Sequence, residues 1–197
     1  MRHTAASYNR HPAGTTLTEL LIAIVLAGLV VGAITQVFQS QRKAYALQEQ
    51  VAGMTQQAQA ALEIITREVR SAGTNRNWAA FTPVTYISAT QFELRSDRND
   101  DGNTNAPGEL TIYVCDAANR RITRNAGSGA ETLAENIDTC TPFIAGFTST
   151  GQSTTDSNAM RQIRLTVTTR TAIPDLTYQS NGGYRTYTLT SLITLRN

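Results

Sequence analysis

Between Leu20 and Ile34 every position is apolar or glycine, and with Val37 and Phe38 the run reaches about 19 residues, close to the ~20 that a helix needs to cross a bilayer. The period then changes without a break. Ala44, Leu47, Val51, Met54, Ala58, Leu62, Ile65 and Val69 recur at steps of three and four, which is one face of an amphipathic helix. No proline occurs between Pro12 and Pro83, Glu63 stands four residues before Arg67 as a supporting pair, and Ser71-Ala72-Gly73 supplies a stop. The pattern therefore predicts one helix from about Thr16 to Ala72, roughly 80 Å long at 1.5 Å per residue. Its first half, residues 15–38, is apolar all round and suits lipid or other helices. Its second half, residues 39–73, is apolar on one stripe and suits a sheet.

After Gly73 the chain turns to Thr, Asn, Gly and short alternating apolar stretches, so residues 74–197 read as a β-rich domain. Strands are expected at Thr85 to Ser88, Gln91 to Arg95, Glu109 to Cys115, Arg120 to Arg124, Phe143 to Phe147, Arg161 to Arg170 and Tyr184 to Arg196. Ile163, Leu165 and Val167 alternate, as do Tyr187, Leu189, Ile193 and Leu195, so the last two strands should pair antiparallel across the Pro174 to Gly183 loop with one face buried. The helix stripe from Leu47 onward is the natural cover for that face. The expected class is α+β, a long helix laid on an antiparallel sheet, with the only tryptophan, Trp78, packing near the helix end.

Composition narrows the functions. The chain of 197 residues carries 17 basic and 15 acidic side chains. Arg2 and Arg10 precede Gly14, and without them 15 bases balance 15 acids. No basic footprint for nucleic acid is left. Both histidines, His3 and His11, also precede Gly14, so the remainder has no imidazole for base catalysis or zinc, and no GxSxG-type nucleophile motif replaces it. A non-enzymatic role is expected. The basic, acid-free stretch before the apolar run places the N-terminus in the cytoplasm by the positive-inside rule, with the rest outside. A cleaved secretory signal would have a shorter apolar core, and Ala44-Tyr45-Ala46 comes too late to be its cleavage site. Cys115 and Cys140 are too far apart for a CxxC motif; in an exported domain they would form a disulfide, and in a reducing compartment they would be two buried thiols.

Asp97-Arg98-Asn99-Asp100-Asp101-Gly102 has the opening of a calcium loop, with oxygens at alternate positions and glycine at the tight turn. The twelve-residue pattern asks for Glu at position 108, which is Gly108, and the acid is one place later at Glu109. The candidate Ca²⁺ ligands are Asp97, Asn99 and Asp101, with Glu109 a weaker fourth and Asn103 a further oxygen. The same residues also make a solvated turn between two strands.

One acid interrupts the apolar run, and its surroundings explain it. Gly14-Thr15-Thr16-Leu17-Thr18-Glu19-Leu20 resembles the processing signal of type IV prepilins, and with the basic leader, the membrane-length run and "ALEIITREVRSAG" (Ala61 to Gly73) it resembles that of PilW-type minor pilins. The resemblance extends more loosely to "LAENI" (Leu133 to Ile137) and the closing "YRTYTLTSLITLRN". It implies a leader over residues 1–14, cleavage by prepilin peptidase between Gly14 and Thr15, and N-methylation of Thr15. It also implies a pilin-like ladle, with Glu19 pairing with the N-terminus of a neighbouring subunit during assembly. The chain departs from the family at Thr15, where Phe is usual, and at Thr18, where an aliphatic residue is common. The implied partners are the peptidase, other pilin subunits, inner-membrane assembly proteins and lipid. The implied location is the inner membrane and then the pilus. A J-type pseudopilin of type II secretion shares these features, and a calcium-dependent surface-binding adhesin at a pilus tip is a third reading. Gly28 and Gly32 form a GxxxG that would let helices approach closely.

Overall fold

The computed structural model describes residues 16–73 and 81–195. The expected leader, the Gly14-Thr15 junction and Trp78 lie outside the described residues. Helix α1 spans Leu17–Ser71 in one piece of 55 residues, within a residue of the predicted ends. It opens on a cap that the sequence reading did not identify: the Thr16 hydroxyl accepts the amide hydrogen of Glu19 at 3.3 Å, so Thr16-Leu17-Thr18-Glu19 has the spacing of a capping box. It closes where Gly73 takes φ +80, a left-handed conformation that favours glycine at a helix C-terminus. The Gly73 amide donates to the Arg95 carbonyl at 3.0 Å, which ties the helix end to the first sheet.

The described residues from Leu47 onward form one compact α+β unit. Its strands are β1 (Val84–Ser88), β2 (Gln91–Arg95), β3 (Leu110–Asp116), β4 (Arg121–Asn125), β5 (Ala130–Glu135), β6 (Ile137–Thr139), β7 (Ile144–Phe147), β8 (Ser153–Thr154), β9 (Gln162–Arg170) and β10 (Thr186–Thr194). All seven predicted strands are present with ends shifted by a residue or two, and β5, β6 and β8 are additional. The strands build two antiparallel sheets where one was expected. The first is a meander in the order β1-β2-β3-β4-β5; the second has the order β10-β9-β7-β8, with β6 also on β9. The chain changes sheets at a single residue. Asn136, between β5 and β6, takes φ +54, and its carbonyl accepts the Arg170 amide at 2.8 Å, while the Ile137 amide still donates to Arg120 at 3.0 Å. A turn this tight breaks the first ladder and starts the second.

β9 and β10 pair antiparallel across the predicted loop, from Thr186 opposite Arg170 to Thr194 opposite Gln162. Ile163, Leu165 and Val167 are buried as their alternation predicts, whereas on β10 only Ile193 is fully so. β10 is an edge strand, so its inward side chains are covered from fewer directions. The helix supplies Met54, Ala58, Ala61, Ile65 and Val69 to the core, so Ala61 is buried where Leu62 was expected, Leu47, Val51 and Leu62 are half-buried, and Ala44 is exposed. In the same core Phe92 stacks on Tyr113 with ring centres 5.1 Å apart and meets Phe143 at 5.7 Å. The buried hydroxyl of Thr169 on β9 donates to the Met54 carbonyl at 2.9 Å, a second link from sheet to helix.

Candidate functional site

Every residue from Thr16 to Ala46 is exposed. A surface of Leu, Ile and Val turned outward on all sides of a helix is what lipid or other apolar helices would cover. The helix has a stretch long and apolar enough for a single membrane span, and an N-terminal export signal has the same character. An added Cβ at Gly28 or Gly32 would meet nothing within 4 Å, so both glycines lie on open helix surface. Glu19 sits in the first turn of α1, where the partial positive charge of the unpaired amides favours a carboxylate. Its carboxylate has no partner among the described residues. The dipole gives the Glu19 carboxylate a local role at the start of the helix, while the bond to Thr16 is made by the residue's backbone amide.

The acidic loop lies between β2 and β3 and is built by its own side chains. Asp97 Oδ2 accepts the Gly102 amide at 3.0 Å, Asn99 Oδ1 accepts the Asp101 amide at 3.0 Å, Asp101 Oδ1 accepts the Asn103 amide at 2.7 Å, and Asn103 Oδ1 accepts the Asn105 amide at 3.1 Å. Asp100 at φ +62 and Gly102 at φ +81 bend the chain back between these anchors. Glu109 Oε1 accepts the amides of Arg98 at 2.9 Å and Asn99 at 3.1 Å. Glu109 thus fastens the start of the loop from its far end, which is why an acid one place beyond the expected position still belongs to it. Asp97 and Glu109 are buried, only 1% and 4% exposed. Among the described residues no three Asp, Glu, His or Cys side chains gather into a group that could hold a metal by themselves.

Cys115 and Cys140 are joined in a disulfide with Cα atoms 5.5 Å apart, so of the two alternatives read from the sequence the bond is the one formed. It connects β3 of the first sheet to the residue after β6 in the second. A further cluster escaped the sequence reading. The Glu68 carboxylate on α1 accepts the hydroxyl hydrogen of Tyr113 on β3 and bonds from Arg124 on β4, with Nη2 at 2.9 Å and Nε at 3.1 Å. Burial and the adjoining carboxylate push the Tyr113 phenol well above its ordinary value, while the bond to Glu68 raises Arg124 further. Glu68 stands three residues after Ile65 and next to Val69, on the margin of the apolar stripe. Its partners lie 45 and 56 residues away, and no local pattern connects them.

Comparison with protein-family models, with curated proteins and with solved structures finds no match to this chain.

Proposed function

We propose that the chain is a minor subunit of a type IV pilus, of the PilW type. In this reading it is inserted with its N-terminus in the cytoplasm, cleaved after Gly14 by prepilin peptidase, methylated at Thr15, and drawn into the filament through α1. The role is structural, helping to prime or cap assembly. The observation that carries the reading is the setting of Glu19: a single acid at the start of a helix whose next residues to Ala46 are all exposed, five residues beyond Gly14. A carboxylate in a membrane helix costs roughly 3 kcal/mol at the bilayer centre and less toward the interface, so an acid there calls for a partner. The amino group released on Thr15 of a neighbouring subunit is a cation of the right sign in an otherwise apolar bundle. An α1 that is exposed and apolar all round at first and later buried on one stripe supports the reading.

Mass spectrometry of the mature N-terminus tests processing and methylation together. A chain beginning at Thr15, with an added methyl group, is expected; an intact Met1 terminus in cells with active peptidase refutes the reading. Gly14→Ala should leave a slower-migrating precursor. Glu19→Gln removes the charge at nearly constant shape and leaves in place the backbone amide that the Thr16 hydroxyl caps. This variant should insert and fold as the wild type does yet enter filaments poorly. Normal incorporation would show that the carboxylate acts only as a helix-starting residue.

A further inference from the structure

Asp97 is the feature that local folding does not explain. One of its carboxylate oxygens, Oδ2, is held by the Gly102 amide, which places the group inside the loop. The other, Oδ1, is buried and without a hydrogen-bond partner among the described residues. A buried carboxylate oxygen with nothing to balance it is costly, and proteins meet that cost with a paired cation, a hydrogen-bond donor or a metal ion. The neighbours of Asp97 along the loop, Asn99, Asp101 and Asn103, carry short oxygen-bearing side chains. Asp101 Oδ2 is occupied by the neutral Asn99 amide group at 2.9 Å, a donor that a cation can displace. Glu109 is engaged by the two loop amides it binds through Oε1; it also lines a small cavity with Arg95 and Arg98, and its Oε2 is likewise unpartnered.

We infer that the Asp97–Gly102 loop binds one hard divalent cation, calcium, through Asp97 Oδ1, Asp101 and Asn99. Main-chain carbonyls and water complete the six to eight oxygens that calcium takes in flexible geometry. Two carboxylates and neutral oxygens satisfy calcium, so three clustered acids are not needed. Magnesium fits less well, because it requires a near-ideal octahedron and gives up its water reluctantly. Glu109 acts as a positioning residue, holding the amides of Arg98 and Asn99 so that the loop keeps its curve. The assignment does not depend on the pilin reading, since it rests on the β2–β3 loop alone.

The test is calorimetric titration of the full-length protein in detergent micelles with calcium chloride and, separately, magnesium chloride, with melting temperature followed in parallel. One calcium per chain is expected, with a dissociation constant on the order of 10⁻⁴ to 10⁻³ M as in extracellular modules. The melting temperature should rise with calcium through preferential binding to the folded state. Asp97→Asn should abolish the binding heat. Asp101→Asn is exposed and keeps an oxygen to accept the Asn103 amide, so it folds even where the first variant does not; it should weaken calcium by about tenfold or more. No calcium heat and no melting shift at about 10 mM calcium would overturn the assignment and leave water as the partner of Oδ1. Wild-type affinity retained in Asp101→Asn would overturn it equally.

Discussion

Replacing Tyr113 by Phe removes one hydroxyl from the contact between α1 and the first sheet while leaving the buried ring and its stack on Phe92 in place. The lost bond is to a charged acceptor, and such bonds contribute about 1.5–3 kcal/mol net. Glu68 keeps Arg124, so the lower end applies, and Tyr113→Phe should destabilise by about 1.5 kcal/mol. Glu68→Ala does more. It leaves the Tyr113 hydroxyl buried without that acceptor and reduces Arg124 to the distant Glu131 carboxylate at 3.8 Å, for a cost of roughly 3 kcal/mol. Removing the orphaned hydroxyl as well returns part of that cost, so the double variant should cost no more than Glu68→Ala alone, a coupling of at least about 1.5 kcal/mol. Urea unfolding of the full chain in micelles, followed by circular dichroism at constant slope, measures all three. The phenol also sets a pH dependence. Its folded value is raised, so its contribution is complete below the unfolded value near 10 and is lost as pH climbs above that. The unfolding midpoint should fall between about pH 9.5 and 11, and less so in Tyr113→Phe. A Tyr113→Phe stability within about 0.5 kcal/mol of wild type, or additive costs in the double variant, would refute the idea that these three side chains act together.

Two further outcomes follow from packing and cross-linking. Replacing Cys115 and Cys140 together by Ala opens a loop of sequence separation 25 and should cost about 3 kcal/mol by the chain-entropy relation, read as a lower urea midpoint that reducing agent does not change further; an unchanged midpoint would show that the bond restrains nothing in the unfolded chain. Gly146→Ala on β7 would bring its Cβ to 2.7 Å from the Thr154 carbonyl and into the end of the Met160 side chain, so a loss of about 1–3 kcal/mol is expected in the same titration. Stability equal to wild type would mean that β8 can move aside freely.

The helix was legible almost to the residue because its signals are local: an apolar run, a three-four repeat and the Ser71-Ala72-Gly73 stop. Strands with strong alternation, such as Gln91–Arg95 and Gln162–Arg170, were legible for the same reason. Ala130–Glu135 was not, since "AETLAE" is poor in β-branched residues and its one fully buried residue is an alanine near its end, Ala134. Ile137–Thr139 and Ser153–Thr154 are too short to show any period, and both exist only because a partner strand is supplied from elsewhere in the fold. The division into two sheets depends on the backbone of Asn136, a residue type that reads equally well as an ordinary turn. In the acidic loop, residue types and spacing were visible in advance. The two roles of Asp97 and Glu109 were not, because they are decided by which oxygen is buried and which amide it meets.

The bond between Cys115 and Cys140 also determines how the protein would answer a pull. A chain drawn from its two ends pays out residues one by one, but the stretch enclosed by this bond is bypassed. About 25 residues at up to ~3.5 Å each, nearly 90 Å of contour, stay locked whatever happens to the strands around them. The enclosed stretch includes β4, β5 and the Asn136 crossing, so tension is carried straight from the first sheet to the second. The two sheets are coupled in series by a covalent link, which limits how far the unit can extend under load before its backbone is fully taut.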